Sequence, residues 1–100
     1  MRLISQDGMI DVPYEYGSLS VGVGKVEEIE HTVIRYRNVS SPNGTKLAEY
    51  SSKAKALKVM EMLREQYMRN NALYIDRENN ARVIPQNSLF KFPDDSELEV

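Results

Sequence analysis

Only one stretch of this chain carries a sustained helical period, so the rest must be built largely from short strands. Between Ser51 and Asn71, Leu57, Met60, Leu63 or Arg64, and Tyr67 recur at the three-to-four spacing of a helix with one core-facing side. Ser51 or Ser52 can cap its start, and Asn70-Asn71 offers a stop. Such a helix should cover one face of a sheet. Its first two turns carry Lys53, Lys55 and Lys58. The macrodipole puts partial positive charge at that end, so each lysine there costs a few tenths of a kcal/mol unless an anion occupies the site. With Lys46 on the strand leading in, the lysines read either as a phosphate site or as a solubilising face partly paired with Glu61.

Before the helix, turn and strand signals alternate. Arg2 to Ser5 reads as a strand, Asp7-Gly8 as a tight hairpin turn, and Met9 to Tyr14 as the return, with Pro13 placing that return at a sheet edge or ending it. Tyr16 to Gly24 alternates Leu19, Val21 and Val23 and reads as a strand bulged at its glycines. Val26 to Glu30 and Thr32 to Val39 follow, the second carrying Arg35 and Arg37 on one face. Ser41-Pro42-Asn43-Gly44 has the composition of a hairpin turn, and Thr45 to Tyr50 closes the meander. After the helix, Leu73 to Asp76 and Ala81 to Ile84 suit a hairpin, and Leu89 to Phe92 a last short strand. The expected fold is α+β: an antiparallel sheet of about five to six strands with one main amphipathic helix on one face. Residues 1–93 form the single domain and residues 94–100 an acidic C-terminal tail, loose unless a partner holds it.

Composition narrows the chemistry. There is no cysteine and one histidine, His31, so neither a conventional thiolate or multi-histidine zinc site nor a cysteine nucleophile can be assembled. No metal or other cofactor is expected. No apolar run reaches the length of a membrane span or a signal-peptide core, which predicts a protein of the cytoplasm without a membrane partner. Gly17 and Gly22 have the separation of a phosphate-binding loop, but Val23 follows where lysine is needed, and Lys25 is followed by Val26 instead of serine or threonine. The carboxylates Glu27, Glu28, Glu30, Asp94 and Asp95 show no convergence across a cleft, and one histidine does not make a triad. The chain is therefore not expected to be an enzyme.

Charge is unevenly spread. Residues 51–93 hold eight basic and four acidic side chains, whereas residues 94–100 hold four acidic and no basic ones. The net charge of −2 supplies no broad field for tracking a duplex, which argues against long nucleic acid, while a small anionic ligand needs only a few cations. Two clusters are candidates. Arg35 and Arg37 can grip phosphate bidentately or simply line an exposed sheet face. Arg64, Tyr67, Arg69, Asn70, Asn71 and Tyr74 combine flat rings with charged and amide donors, a mixture suited to a nucleobase and its phosphates, although Tyr67 also suits the core. The unburied apolar residues of 16–26 and Val33 predict a homo-oligomer, a dimer or higher.

Three segments carry a resemblance: the opening Met1-Arg2-Leu3-Ile4-Ser5-Gln6-Asp7-Gly8-Met9-Ile10-Asp11-Val12-Pro13-Tyr14-Glu15, the helix start from Tyr50 to Arg64, and the ending Phe90-Lys91-Phe92-Pro93-Asp94-Asp95 with Glu97, Glu99 and Val100. Together they resemble small proteins of phages and integrated elements of low-GC Gram-positive bacteria. Among these the chain looks similar to the first Thoeris anti-defence (Tad) family, sponges that bind cyclic ADP-ribose signals, or cyclic oligonucleotides, without degrading them. The resemblance implies a symmetric oligomer with pockets at a subunit boundary, arginines on the phosphates and an aromatic ring under the base. It does not cover residues 17–43. The competing expectation is a protein-binding inhibitor of a host defence effector, of anti-CRISPR type, using a strand edge or the acidic tail. Deleting residues 94–100 should abolish inhibition in that case and spare small-molecule binding in the other.

Overall fold

A computed structural model describes residues 1–70, 73–75, 81–83 and 89–98. The order is β1 (Arg2–Ile4), β2 (Asp11–Pro13), β3 (Ser18–Val26), β4 (Ile29–Asn38), β5 (Ser41–Tyr50), α1 (Lys53–Asn70), β6 (Leu73–Ile75), β7 (Ala81–Val83) and β8 (Leu89–Lys91). Single 3-10 turns sit at Tyr14–Tyr16 and Asp95–Glu97. The class is α+β, as expected, but the strands do not share one sheet. They divide into a three-stranded sheet β3-β4-β5, a second in the order β2-β1-β8, and a β6-β7 ladder. The chain also departs from a wholly antiparallel arrangement, because β8 returns beside β1 in parallel.

The larger sheet is a meander whose turns are not where turn-forming residues advertise them. β3 and β4 pair without interruption from Ser18 opposite Arg37 to Val26 opposite Ile29, so the expected bulge at the glycines is absent. Glu27 and Glu28 make the connection, with φ of 52° and 66°. Positive φ at both central residues is what a two-residue hairpin of the twisted type requires, and it normally selects asparagine or glycine. The β4–β5 turn falls at Val39-Ser40, and Pro42-Asn43-Gly44 lies within β5 instead of forming the hairpin turn. There the pairing slips, from Tyr36 opposite Thr45 to Asn38 opposite Ser41, and Gly44 takes φ of 85°. Turn residues thus serve a bulge, which tolerates the same left-handed backbone.

A second slip, between Ile34 and Arg35, leaves Leu47 as the extra residue on β5. Leu47 is buried, and its carbonyl accepts the Gln6 N–H at 2.8 Å. The Gln6 side chain continues the contact: its Oε1 accepts the Glu49 N–H at 3.0 Å, and its Nε2 donates to the carbonyls of Glu49 and Pro93. One residue after β1 therefore occupies the outer edge of β5.

Strand alternation sends Ile34, Tyr36, Ala48 and Tyr50 to the face under α1, where all four are buried. The helix meets them with Ala56, Val59 and Leu63, also buried, while Met60 and Tyr67 are half-buried. The stripe is rotated from the expected one. Leu57 stays about half exposed (49%), because the small Ala56 lets the helix settle against the sheet through its own face. Two buried tyrosines fasten the layers: Tyr36 donates its hydroxyl to the Pro13 carbonyl at 2.6 Å, and Tyr50 donates to the Pro93 carbonyl at 2.8 Å. Burial pushes the Tyr50 hydroxyl pKa upward, with the carboxylates of Asp94, Asp95 and Glu97 adding to it, so the group stays a protonated donor.

Candidate functional site

The lysine-bearing helix start has an anion of its own. Ser52 Oγ accepts the Lys55 N–H at 3.2 Å and is the helix cap. Just outside it, Asp95 accepts the Ser51 N–H at 2.7 Å and the Ser51 hydroxyl at 3.1 Å, and its Oδ2 lies 2.9 Å from Lys55 Nζ. The Ser51 bonds and the lysine charge hold the Asp95 carboxyl below its usual range. What the sequence suggested as a phosphate site is occupied by the chain's own carboxylate. The expected looseness of the acidic segment therefore does not extend to Asp95, and deleting residues 94–100 would disturb the helix start as well as any interface. Lys53 and Lys58 remain exposed.

The predicted binding residues split between two surfaces. Arg35 and Arg37 alternate with the buried Ile34 and Tyr36, so they project from the sheet face opposite α1, and both are exposed. Lys46, opposite Arg35, adds to that basic face. Arg64 and Tyr67 stand one turn apart on α1 and line a different feature, a cleft of about 450 Å³ between the helix, the Tyr14–Tyr16 turn and the start of β3. The two arginine pairs therefore do not converge within one chain. Arg69 is exposed outside the cleft lining. Asn71, and the side chains of Asn70 and Tyr74, lie outside the described residues.

Inside the cleft, the rings of Tyr14 and Tyr67 lie with centroids 4.5 Å apart, tilted by 43°. Tyr14 is the residue that sequence reasoning missed. It read as the end of a strand, and no local signal ties it to a tyrosine on a distant helix. Glu15 and Ser18 supply polar groups at the rim, and Gly17 forms part of the wall. Glu15 accepts a hydrogen bond from the Met1 ammonium, which holds its carboxyl below the ordinary value and neutralises its charge. Arg64 is then the cleft's uncompensated cation among the described residues. Gly17 is dictated by space: a Cβ there would stand 2.3 Å from Tyr36 Cζ, the ring whose hydroxyl is fixed on Pro13.

A half-open cleft with two rings, a cation and hydroxyl groups can hold a flat, anionic molecule of nucleotide size. Among the described residues no group of carboxylates and histidine is arranged to hold a metal ion, and no helix is long and apolar enough to cross a membrane. No family model matches this chain, and no curated protein or solved structure matches it either.

Proposed function

We propose that this protein is a phage-type counter-defence sponge that binds a cyclic nucleotide signal, a cyclic ADP-ribose isomer or a cyclic oligonucleotide, without degrading it. The supporting observation is the Tyr14–Tyr67 ring pair beside Arg64 in a cleft of about 450 Å³, a size that falls in the range of small-ligand pockets. A base would lie against a tyrosine face, and Arg64 would take a phosphate through its guanidinium fork. The resemblance at both ends of the chain and at the helix start supplies the ligand class and the expectation of a homo-oligomer. Arg35 and Arg37 can join one ligand with Arg64 only if a second subunit brings the opposite sheet face to the cleft.

Equilibrium dialysis against cyclic ADP-ribose isomers and cyclic trinucleotides tests the reading. Retention of one of them, recovered chemically unchanged, is the expected result. Arg64→Ala should weaken retention about tenfold or more, the scale of a lost charge-assisted hydrogen bond. No retention of any of these nucleotides refutes the proposal.

A further inference from the structure

The two long edges of the larger sheet are treated differently. β5 is covered from Leu47 to Glu49 by Gln6, backbone and side chain together. β3 has β4 on one side and, among the described residues, no strand on the other, over its nine residues. It lacks the devices that guard an exposed edge: it contains no proline and no bulge, and its single charge is Lys25. Gly22 and Gly24 within it have no internal reason to be glycine. A Cβ at either would meet nothing within 4 Å, and neither has positive φ. Glycine weakens a strand interior and marks places where another backbone comes close. Among the described residues nothing comes close.

The strand also extends beyond its support. β5 reaches only as far as Tyr50 opposite Thr32, so the ribbon from Gly24 to His31 continues, among the described residues, with two strands alone. Every residue from Gly22 to Glu30 is exposed, including Val23, Val26 and Ile29. Two strands are marginal by themselves in water.

We propose that β3 pairs antiparallel with β3 of a second copy about a two-fold axis through Gly22, joining two three-stranded sheets into one. The register is the one in which all nine residues find a partner, from Ser18 opposite Val26 to Gly22 opposite its own counterpart. On the helix side Val21 meets Val23 on each side of the axis, and Lys25 lies opposite Leu19, so no like charges face each other. The Glu27-Glu28 tip runs past Ser18 to Gly17 of the second copy. There it lies beside the exposed Arg37, which pairs with Ser18 on β4. The acidic tip and its basic landing site are complementary, and the two-fold repeats the contact. This gives the proposed homo-oligomer its interface and does not depend on what the cleft binds.

The test is sedimentation equilibrium of the full chain across a micromolar dilution series, with Gly22→Lys, Gly22→Glu and their equimolar mixture. The wild type should show twice the 11.5 kDa chain mass. Either variant alone opposes two like charges at the axis and should weaken the dimer about fivefold. The mixture should restore association, because only the mixed pair sets opposite charges there. The open space at Gly22 leaves the subunit fold intact, which unchanged thermal melts of the variants at a monomeric dilution would verify. A wild type at the single-chain mass throughout overturns both the oligomer and this interface. A dimer that neither variant weakens, or that the mixture does not restore, overturns the interface while leaving the oligomer standing.

Discussion

Replacing Asp95 should detach the acidic segment from the helix it secures, and two substitutions separate the contributions. Asp95→Ala removes the acceptor for the Ser51 N–H and hydroxyl together with the charge beside Lys55. Loss of a cap-type acceptor costs about 1 kcal/mol. The Lys55–Asp95 pair is 2.9 Å long, but the aspartate side chain is 39% exposed, so solvent screening limits it to about 0.5 kcal/mol. About 1.5 kcal/mol in a chain of this size lowers Tm by roughly 6–12 °C. Asp95→Asn keeps an oxygen for the Ser51 N–H but sets an amide donor where Oδ2 accepts from the Ser51 hydroxyl and Lys55, so its Tm should fall by less than that of Asp95→Ala. The acid limb gives an independent check. A carboxyl whose folded pKa is depressed contributes stability above its unfolded pKa, and that contribution is lost as pH falls through the folded value. Thermal melts between neutral pH and the carboxylate range should therefore show both variants flatter than wild type. The slope should not vanish, because the Asp7 and Glu15 carboxyls are also held low, by Ser5 and by the Met1 ammonium respectively. Melts of Asp95→Ala that match wild type in midpoint and acid slope would refute the reasoning. An Asp95→Asn variant as damaged as Asp95→Ala would show that the Oδ2 contacts, and not the Ser51 N–H bond, secure the segment.

Two further perturbations follow from the backbone. Gly17→Ala places a methyl against the Tyr36 ring and should cost about 1–3 kcal/mol by denaturant melt, with the Tyr14–Tyr67 cleft disturbed alongside; full stability would show that the ring moves freely. Glu28→Gly relieves one left-handed residue at the β3–β4 tip and should stabilise the chain by about 1 kcal/mol, whereas a loss would mean that the side chain has a partner there.

The helix, the first hairpin and the β6–β7 pairing were legible because their signals are local: a period, an Asp-Gly turn, and two short strand runs around a polar link. The rest was hidden for separate physical reasons. A turn made of Glu27 and Glu28 carries no compositional mark, so the two strands of one hairpin read as three, broken at Lys25 and at His31. Pro42-Asn43-Gly44 carries the mark of a turn and serves a bulge, since both need the same backbone. The division into two sheets rests on Gln6, Tyr36 and Tyr50 reaching distant carbonyls, which no pattern along the chain records. The candidate site was half legible. Arg64 and Tyr67 share a helix face, and their spacing said so, whereas Tyr14 joins them only through the fold. Arg35 and Arg37 looked like members of one set because sequence gives the face of a strand but not which layer covers it.

The Gln6 side chain has a consequence for the size that assemblies of this protein can reach. A sheet with one free margin can be extended once and is then finished, so growth ends at a pair. A sheet with both margins free has no such end. By imitating a short strand with a single amide group, Gln6 makes the subunit one-sided. Shortening it to alanine would strip the two bonds to Glu49 and leave only the backbone N–H on the Leu47 carbonyl, so that the same pairing chemistry that closes a dimer could then continue, subunit after subunit, into a fibre.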